Sequence, residues 1–424
     1  MPTRYRYLAN RASAVYFEMH LSSDLLVAQL PLPCGAILKN RIAKSAMSEQ
    51  LGDRANRATP ELARLYARWA AGGAGLVITG NVMVDRRALG EPRNVVLEDG
   101  RGLALIEAWA KAGTAKGTHL WMQLNHPGRQ IPKFLSKEPV APSAVRPELP
   151  GFGTPRALTG PEIDDLIARF GRSAALARQA GFTGVQIHGA HGYLVSQFLS
   201  PLTNRRTDEW GGALENRMRF LMGAYHAIRA AVGNDFPVSV KINSADFQRG
   251  GFSEEDASGV VDALAAAGVD LLEISGGTYE QPAMMLGTPK ESTVAREAYF
   301  LTFAERLRGR TKVPFMVTGG FRSRAGMIDA LQSGALDVVG LARPLALEPD
   351  LPARLLDESA ERSAARPRRV GVKLLEGVTE LSWHTLRLHR MGAGKDPDPD
   401  LSPARAAAMS VVLQGWGALR RKRG

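Results

Sequence analysis

The stretch PEIDDLIARFGRSAALARQAGFTGVQIHGAHGYLVSQFLS, residues 161–200, carries the reading of the fold. Thr159-Gly160-Pro161 opens a helix in the way Pro favours a first turn, and Gly181 stops it, which predicts a helix over Pro161–Ala180. Gly184–His188 follows as a short run suited to burial on both faces, as in a parallel strand. The chain then turns polar at His188-Gly189-Ala190-His191-Gly192-Tyr193. Helix, stop, buried strand and polar strand end make one unit of a parallel α/β protein.

The same unit recurs on both sides. Strands are predicted at Ile37–Met47, Gly75–Thr79, His119–Leu124, Gly184–His188, Val238–Ile242, Leu271–Ser275, Phe315–Thr318 and Val338–Leu341. Helices are predicted at Pro60–Ala71 (after Thr59 as N-cap), Pro161–Ala180, Leu214–Val232, Glu254–Ala267, Ala295–Arg308 and Arg324–Ser333. Eight such alternations predict an α/β fold, a (β/α)8 TIM barrel. An open doubly wound sheet competes, but no G-x-G-x-x-G follows the first strand. One connection is long and holds seven prolines between Leu124 and Gly160. Loops of that length are often functional, so it reads as a cap loop after strand three, on the face where barrels carry active sites.

Composition narrows the class. The 424 residues are 45% hydrophobic and 23% charged, as in ordinary globular proteins. No apolar run reaches the ~18 residues of a membrane span. A lone cysteine, Cys34, excludes a disulfide scaffold, a cysteine zinc site and a four-cysteine iron–sulfur cluster. The net charge of +12 sits at the ends: Ala360–Gly424 holds 13 Lys and Arg against 6 Asp and Glu, and residues 23–359 carry only +3. A solvated basic tail, Arg420–Arg423, accounts for this better than a nucleic-acid surface. Residues 1–22 lack a signal-peptide core and read as a disordered leader or a translated upstream start, which places the protein in the cytoplasm. The expected organisation is leader 1–22, barrel 23–358, and a partly helical extension 359–424 that packs on the barrel or on a partner subunit, leaving a homo-oligomer open.

The strand ends hold the chemistry. Strand one ends in Ser45-Ala46-Met47-Ser48, strand two at Thr79-Gly80-Asn81, and strand three at Gln123-Leu124-Asn125-His126. Strand five delivers Lys241 and Asn243, and strand six Glu273 and Ser275. Gly319-Gly320 after strand seven, read as opening a helix, and Arg343 after strand eight suit a phosphate. His188 and His191 suit two hydrogen bonds to one substrate oxygen, with Tyr193 as proton donor. As metal ligands they would lack an obvious third partner. Lys241 needs a counter-group, either an electron-rich ring or a salt bridge to Glu273.

Five segments together resemble the Old Yellow Enzyme family of NADH:flavin oxidoreductases: LKNRIAKSAM (38–47), GAGLVITG (73–80), QLNHPGRQ (123–130), VQIHGAHGYLVSQFLSPLTNRRTDEWGGALENRMRFL (185–221) and FMVTGGFRSRAGM (315–327). The resemblance spans residues 24 to 358 and implies an FMN-containing (β/α)8 barrel. It implies that Ser45, Ala46 and Met47 lie beside the flavin and that Gly80 lets backbone approach it. It further implies that Gln123 bonds the pyrimidine edge, Lys241 stands near N1 and O2, and Gly320, Ala342 and Arg343 hold the phosphate. His188 and His191 are implied to hold a substrate carbonyl and Tyr193 to supply a proton. Ser48 stands where many relatives have Thr or Cys near the flavin C4 oxygen, which removes a redox-sensitive thiol. The cysteine count excludes the iron–sulfur branch. The expected activity is reduction of activated C=C bonds in α,β-unsaturated carbonyl compounds, with NADH or NADPH as transient reductant, a small-molecule substrate, and no nucleic-acid or membrane partner. Alternatives are an NAD(P)H oxidase, a quinone or nitro reductase, a metal-dependent lyase or hydrolase on the same barrel, or a binder acting through its basic tail. The cap loop and Gln50 are expected to shape the pocket.

Overall fold

The structure is a computed structural model, and it describes residues 25–136, 138–277, 300–366, 373–406 and 408–409. The expected leader, the basic tail and residues 295–299 of one expected helix lie outside the described residues.

Eight parallel strands close on themselves. They are β1 (Ile42–Lys44), β2 (Leu76–Ile78), β3 (His119–Asn125), β4 (Gly184–Gly189), β5 (Val238–Asn243), β6 (Leu271–Ser275), β7 (Phe315–Thr318) and β8 (Val338–Leu341). Each pairs with the next, and β8 pairs back to β1 through Gly340↔Ala43. The pairing of β3 with β4, Gly184↔Trp121, rules out the open sheet. Gly184 has no side chain for a reason: a Cβ there would lie 2.4 Å from the Trp121 ring. The main helices are α1 (Pro60–Ala71), α2 (Leu103–Gly113), α3 (Gly160–Gln179), α4 (Arg219–Val232), α5 (Glu254–Ala266), α6 (Leu301–Arg308), α7 (Arg324–Gln332), α8 (Leu351–Leu356) and α9 (Lys373–Gly392), with short helices at Leu194–Leu199 and Leu214–Arg217 as well.

Three local readings change. The strand expected over Ile37–Met47 divides, because the Asn40 side chain accepts from Ile42 N–H and donates to Gly73 C=O, breaking the run. Its first part, Ile37–Leu38, instead pairs antiparallel with Leu30–Pro31. The helix expected over Leu214–Val232 breaks at Met218, next to Arg217, which is buried and bonded to Asp256 and the Gly212 carbonyl. Helix α2 is new: it starts at Gly102, φ +75°, without the Ser/Thr signal that marks α3. Its buried Ile106, Trp109, Ala110 and Gly113 at three- and four-residue spacing were the available clue.

The hairpin before β1 plugs the amino end of the barrel. Leu30, Leu32 and Leu38 pack there with Ala43, Leu76, Ile78, Trp121, Leu271, Met316 and Val338. The opposite end stays polar. The cap loop crosses the segment after β4: Arg206 donates to Pro142 and Leu158 carbonyls, and Ser143 accepts from Arg205 N–H. Within it, Val140–Ala141 pairs with Arg156–Ala157.

Candidate active site

At the carboxyl end of β4 the chain turns sharply and sets three rings together. The His188 ring lies 5.2 Å from that of His191 and 4.8 Å from that of Tyr193, both edge to face. His191 takes φ +61°, a left-handed conformation costing about 1 kcal/mol or more for a residue with a side chain. Neighbours clamp it from both sides: its N–H donates to Asn243 Oδ1 at 3.1 Å, and its carbonyl accepts from Gln130 Nε2 at 3.0 Å. The ring is held by a 2.9 Å bond between Nε2 and Ser275 Oγ. Ala190 N–H donates to His188 Nδ1, so the neutral His188 ring carries its proton on Nε2. Burial, then the neighbouring His191 and Lys241, hold His188 well below the usual imidazole range, and burial and Lys241 do the same for His191. Both rings are therefore neutral donors at neutral pH. Asn81 Nδ2 donates to the Tyr193 hydroxyl at 3.4 Å.

Beneath these rings, polar side chains from six strands form one chain across the barrel. Ser45 Oγ meets Thr318 Oγ1 at 2.7 Å, and Thr318 donates to Glu273 Oε1 at 2.8 Å. Lys241 Nζ lies 2.9 Å from the same oxygen, so the salt bridge weighed from sequence is present. Gln186 Nε2 donates to the other Glu273 oxygen at 2.9 Å, and Gln123 Nε2 donates to Gln186 at 2.8 Å. Gly340 is required here, because a Cβ would sit 2.1 Å from Thr318 Oγ1. Gln123 Oε1 and both polar atoms of Asn125 remain buried without a hydrogen-bond partner. Such orphans cost about 1–3 kcal/mol each unless something supplies the missing bond.

The loop after β1 is tied to carboxylates that the sequence reading did not single out. Ser48 Oγ donates to Glu91, whose carboxyl burial pushes above its usual range. Ala46 and Met47 are half-buried beside it. Gly80 N–H donates to Glu49 Oε1 at 2.8 Å, and Tyr66 donates to the same carboxylate. A Cβ on Gly80 would lie 2.2 Å from Glu49 Oε2 and 2.3 Å from the Met47 carbonyl, so the close approach Gly80 permits here is to its own chain. Lys44 is wholly buried over the Trp69 ring, donates to the Ile78 carbonyl, and is pushed down to about 8 by burial.

The expected phosphate residues stand on adjacent strands. Gly319 (φ +121°) and Gly320 (φ +102°) follow β7 in a conformation that glycine tolerates. They do not open α7 directly. Phe321–Ser323 intervene, and Ser323 caps the helix by accepting from Gly326 N–H. The register Thr318↔Gly340 brings Ala342 and Arg343 beside this turn. Arg343 is also paired with Glu380 of α9 at 2.7 Å, a partner 37 residues away.

A closed parallel barrel with paired imidazoles and a tyrosine at its carboxyl mouth is the frame of a barrel enzyme. The sequence profile of the NADH:flavin oxidoreductase / NADH oxidase family matches residues 31–361. A NADH-dependent flavin oxidoreductase iliE of Hypocrea jecorina is 41% identical over 395 residues, covering 85% of this chain and 98% of that protein. The iccE enzyme of Talaromyces variabilis, of the same description, is 38% identical over 363 residues, 79% of this chain and 86% of its own. Among solved structures, morphinone reductase in complex with tetrahydroNAD superposes with a TM-score of 0.68 at 26% identity, covering 81% of this chain and 93% of that one. An Old Yellow Enzyme homologue from Zymomonas mobilis gives 0.67, also at 26% identity, over 79% and 93%. The chain belongs to the NADH:flavin oxidoreductase / NADH oxidase family, as an FMN-dependent oxidoreductase of the Old Yellow Enzyme type.

The residues present fit FMN. The orphaned Gln123 oxygen is an acceptor awaiting an N–H, Lys241 retains donors beyond its bond to Glu273, and Gly319, Gly320 and Arg343 suit a phosphate. Of the functional neighbours, Glu49, Tyr66, Glu91, Gln186 and Glu380 escaped sequence reading. Glu49 stood one residue past the Ser45–Ser48 strand end; the others lie far along the chain from the groups they serve.

Proposed function

We propose that this enzyme reduces activated C=C bonds of α,β-unsaturated carbonyl compounds, with reduced nicotinamide as electron source. The observation that carries this reading is the His188–His191–Tyr193 cluster, two neutral imidazoles and a phenol within 5.2 Å at a strand end. Bound FMN supplies the hydride that reaches the β-carbon. His188 Nε2–H and the His191 ring bind the carbonyl oxygen and stabilise the negative charge that develops on it. Their neutrality suits them to donate without carrying the charge themselves. Tyr193 delivers its phenolic proton to the α-carbon, and Asn81 holds the hydroxyl. Gln123 and Lys241 serve the pyrimidine edge, the Ser45–Ser48 segment and Gly80 line the ring, and Gly319, Gly320, Ala342 and Arg343 take the phosphate. Residues 23–358 form the flavin unit. No helix among the described residues is long and apolar enough to cross a membrane. The cytoplasm suits a nicotinamide-dependent reaction on a small molecule.

Tyr193→Phe tests this. Stopped-flow measurement with an enone should show flavin reduction by NADH nearly unchanged and alkene reduction slowed about 10²–10⁴-fold. A quinone run alongside should be spared, because its product takes protons from solvent. Equal slowing of both half-reactions would instead make Tyr193 a residue that positions the rings. A wild-type enzyme that reduces the quinone and no enone would assign it to the quinone-reductase alternative.

A further inference from the structure

The extension beyond the barrel is not appended loosely. Helix α9 lies on α1, where Arg64 Nε donates to the Gly392 carbonyl at 2.7 Å. Its Trp383 is buried with Leu386, Ala406, Leu347 and Leu401, and the indole N–H donates to the Leu401 carbonyl at 2.7 Å. Further along, His389 Nε2 meets the Glu49 carbonyl at 2.8 Å, in the loop that follows β1. The helix thus reaches the mouth at two points, His389 at the end of β1 and Glu380 at the end of β8.

The second point is the informative one. Arg343 Nη1 donates to Glu380 Oε1 at 2.7 Å, and the Arg343 side chain is still 29% exposed. A guanidinium has five N–H donors in a rigid fork, so one bond leaves a face free for an anion. Burial pushes the Glu380 carboxyl up, but His384 and Arg343 outweigh it and hold it at about 2, so it is charged at any working pH. His384, 92% buried on the same helix, has neither ring nitrogen hydrogen-bonded and stands 3.9 Å from that carboxylate. Burial holds His384 itself below the usual imidazole range, so the charged contact beside the Gly319–Gly320 turn is the Arg343–Glu380 ion pair.

We propose that Glu380 is a positioning residue for the cofactor phosphate: it holds Arg343 by one N–H and leaves the remaining donors for the anion. The proposal rests on the reading of Arg343 as a phosphate ligand given above. It makes α9 a working part of the flavin site. Long side chains lose entropy when a ligand fixes them, and a residue that fixes Arg343 beforehand removes that cost from binding. By reciprocity, phosphate binding should strengthen the docking of α9.

The test compares FMN with riboflavin, which lacks the phosphate. Full-length protein stripped of flavin is titrated with each, and quenching of flavin fluorescence gives both dissociation constants. Arg343→Ala should weaken FMN about 10–100-fold and leave riboflavin unchanged. Glu380→Gln should weaken FMN about 5-fold, again without affecting riboflavin, and Glu380→Asp should recover part of the loss. The proposal is overturned if Glu380→Gln binds FMN as tightly as or more tightly than the wild type, since the carboxylate would then be idle or a competitor. It is equally overturned if both flavins weaken together, because Glu380 would then serve only the fold. If Arg343→Ala leaves the FMN-to-riboflavin ratio unchanged, the phosphate assignment itself fails and the role of Glu380 falls with it.

Discussion

The two ends of the barrel are built from the same eight strands and are held together by different physics. At the amino end, Leu30, Leu38, Leu76, Trp121, Met316 and Val338 close a floor by removing apolar surface from water. At the carboxyl end, Ser45, Gln123, Gln186, Lys241, Glu273 and Thr318 form a layer in which each bond depends on the next. The floor has no chemistry to offer. The mouth keeps polar groups where packed hydrophobes would be at least as stable, which is the signature of a layer retained for function. The floor adds to the main apolar core between strands and helices, while the mouth gives up part of that stability.

The largest effect should come from the floor. Trp121→Ala is expected to cost about 4 kcal/mol, because the ring is fully buried and fills the space left by Gly184. Denaturant titration measures it, and the FMN affinity of the folded protein should stay near wild type. A loss of affinity larger than the loss of stability would show that floor and mouth are coupled.

Glu273→Gln should cost nearly as much, about 3 kcal/mol, by leaving Lys241 buried without its counter-charge. Adding Lys241→Met should restore most of that stability but none of the lost FMN affinity. If the double substitution recovers both, the polar layer serves the fold and the contrast between the two ends disappears.

The smallest effect is on acid stability. Burial holds His126 at about 4 and His188 well below the ordinary 6.5. Below pH 6.5 the unfolded chain thus binds protons that the folded chain refuses, so stability is full above that pH and falls as pH drops. Each ring contributes up to about 1.4 kcal/mol per pH unit, or about 2–3 kcal/mol together at pH 5.5. The unfolding free energy at pH 7.5 and 5.5 checks this, and His126→Asn should remove about 1.4 kcal/mol of the difference. Stability that is flat or rises on acidification would contradict the burial of both rings.

How much was legible from sequence follows the range of the interactions. Strands β6, β7 and β8 and helix α1 stand at the residues that local patterning picks out, because apolar runs, Pro at a first turn and Gly stops act within a few residues. The polar strand ends were legible for the same reason: charged and aromatic residues at the close of a buried run stand out from their neighbours. Helix α2 was not, because its first residues carry no capping signal.

What the sequence by itself determined is the alternation that makes a barrel, and the identity of the residues at its mouth, His188, His191, Tyr193, Lys241 and Arg343 among them. What only the tertiary structure decided is which groups those residues meet. Lys241 finds Glu273 on the next strand, Ser48 finds Glu91 across 43 residues, Arg343 finds Glu380 across 37, and the Glu49 carbonyl finds His389 across 340. A side chain's type is written at its own position, and periodicity carries that information a turn or two along the chain. A partner's identity depends on closure of the ring and on where the C-terminal helix settles. Both are set by burial summed over the whole molecule, and no local stretch of sequence contains that sum.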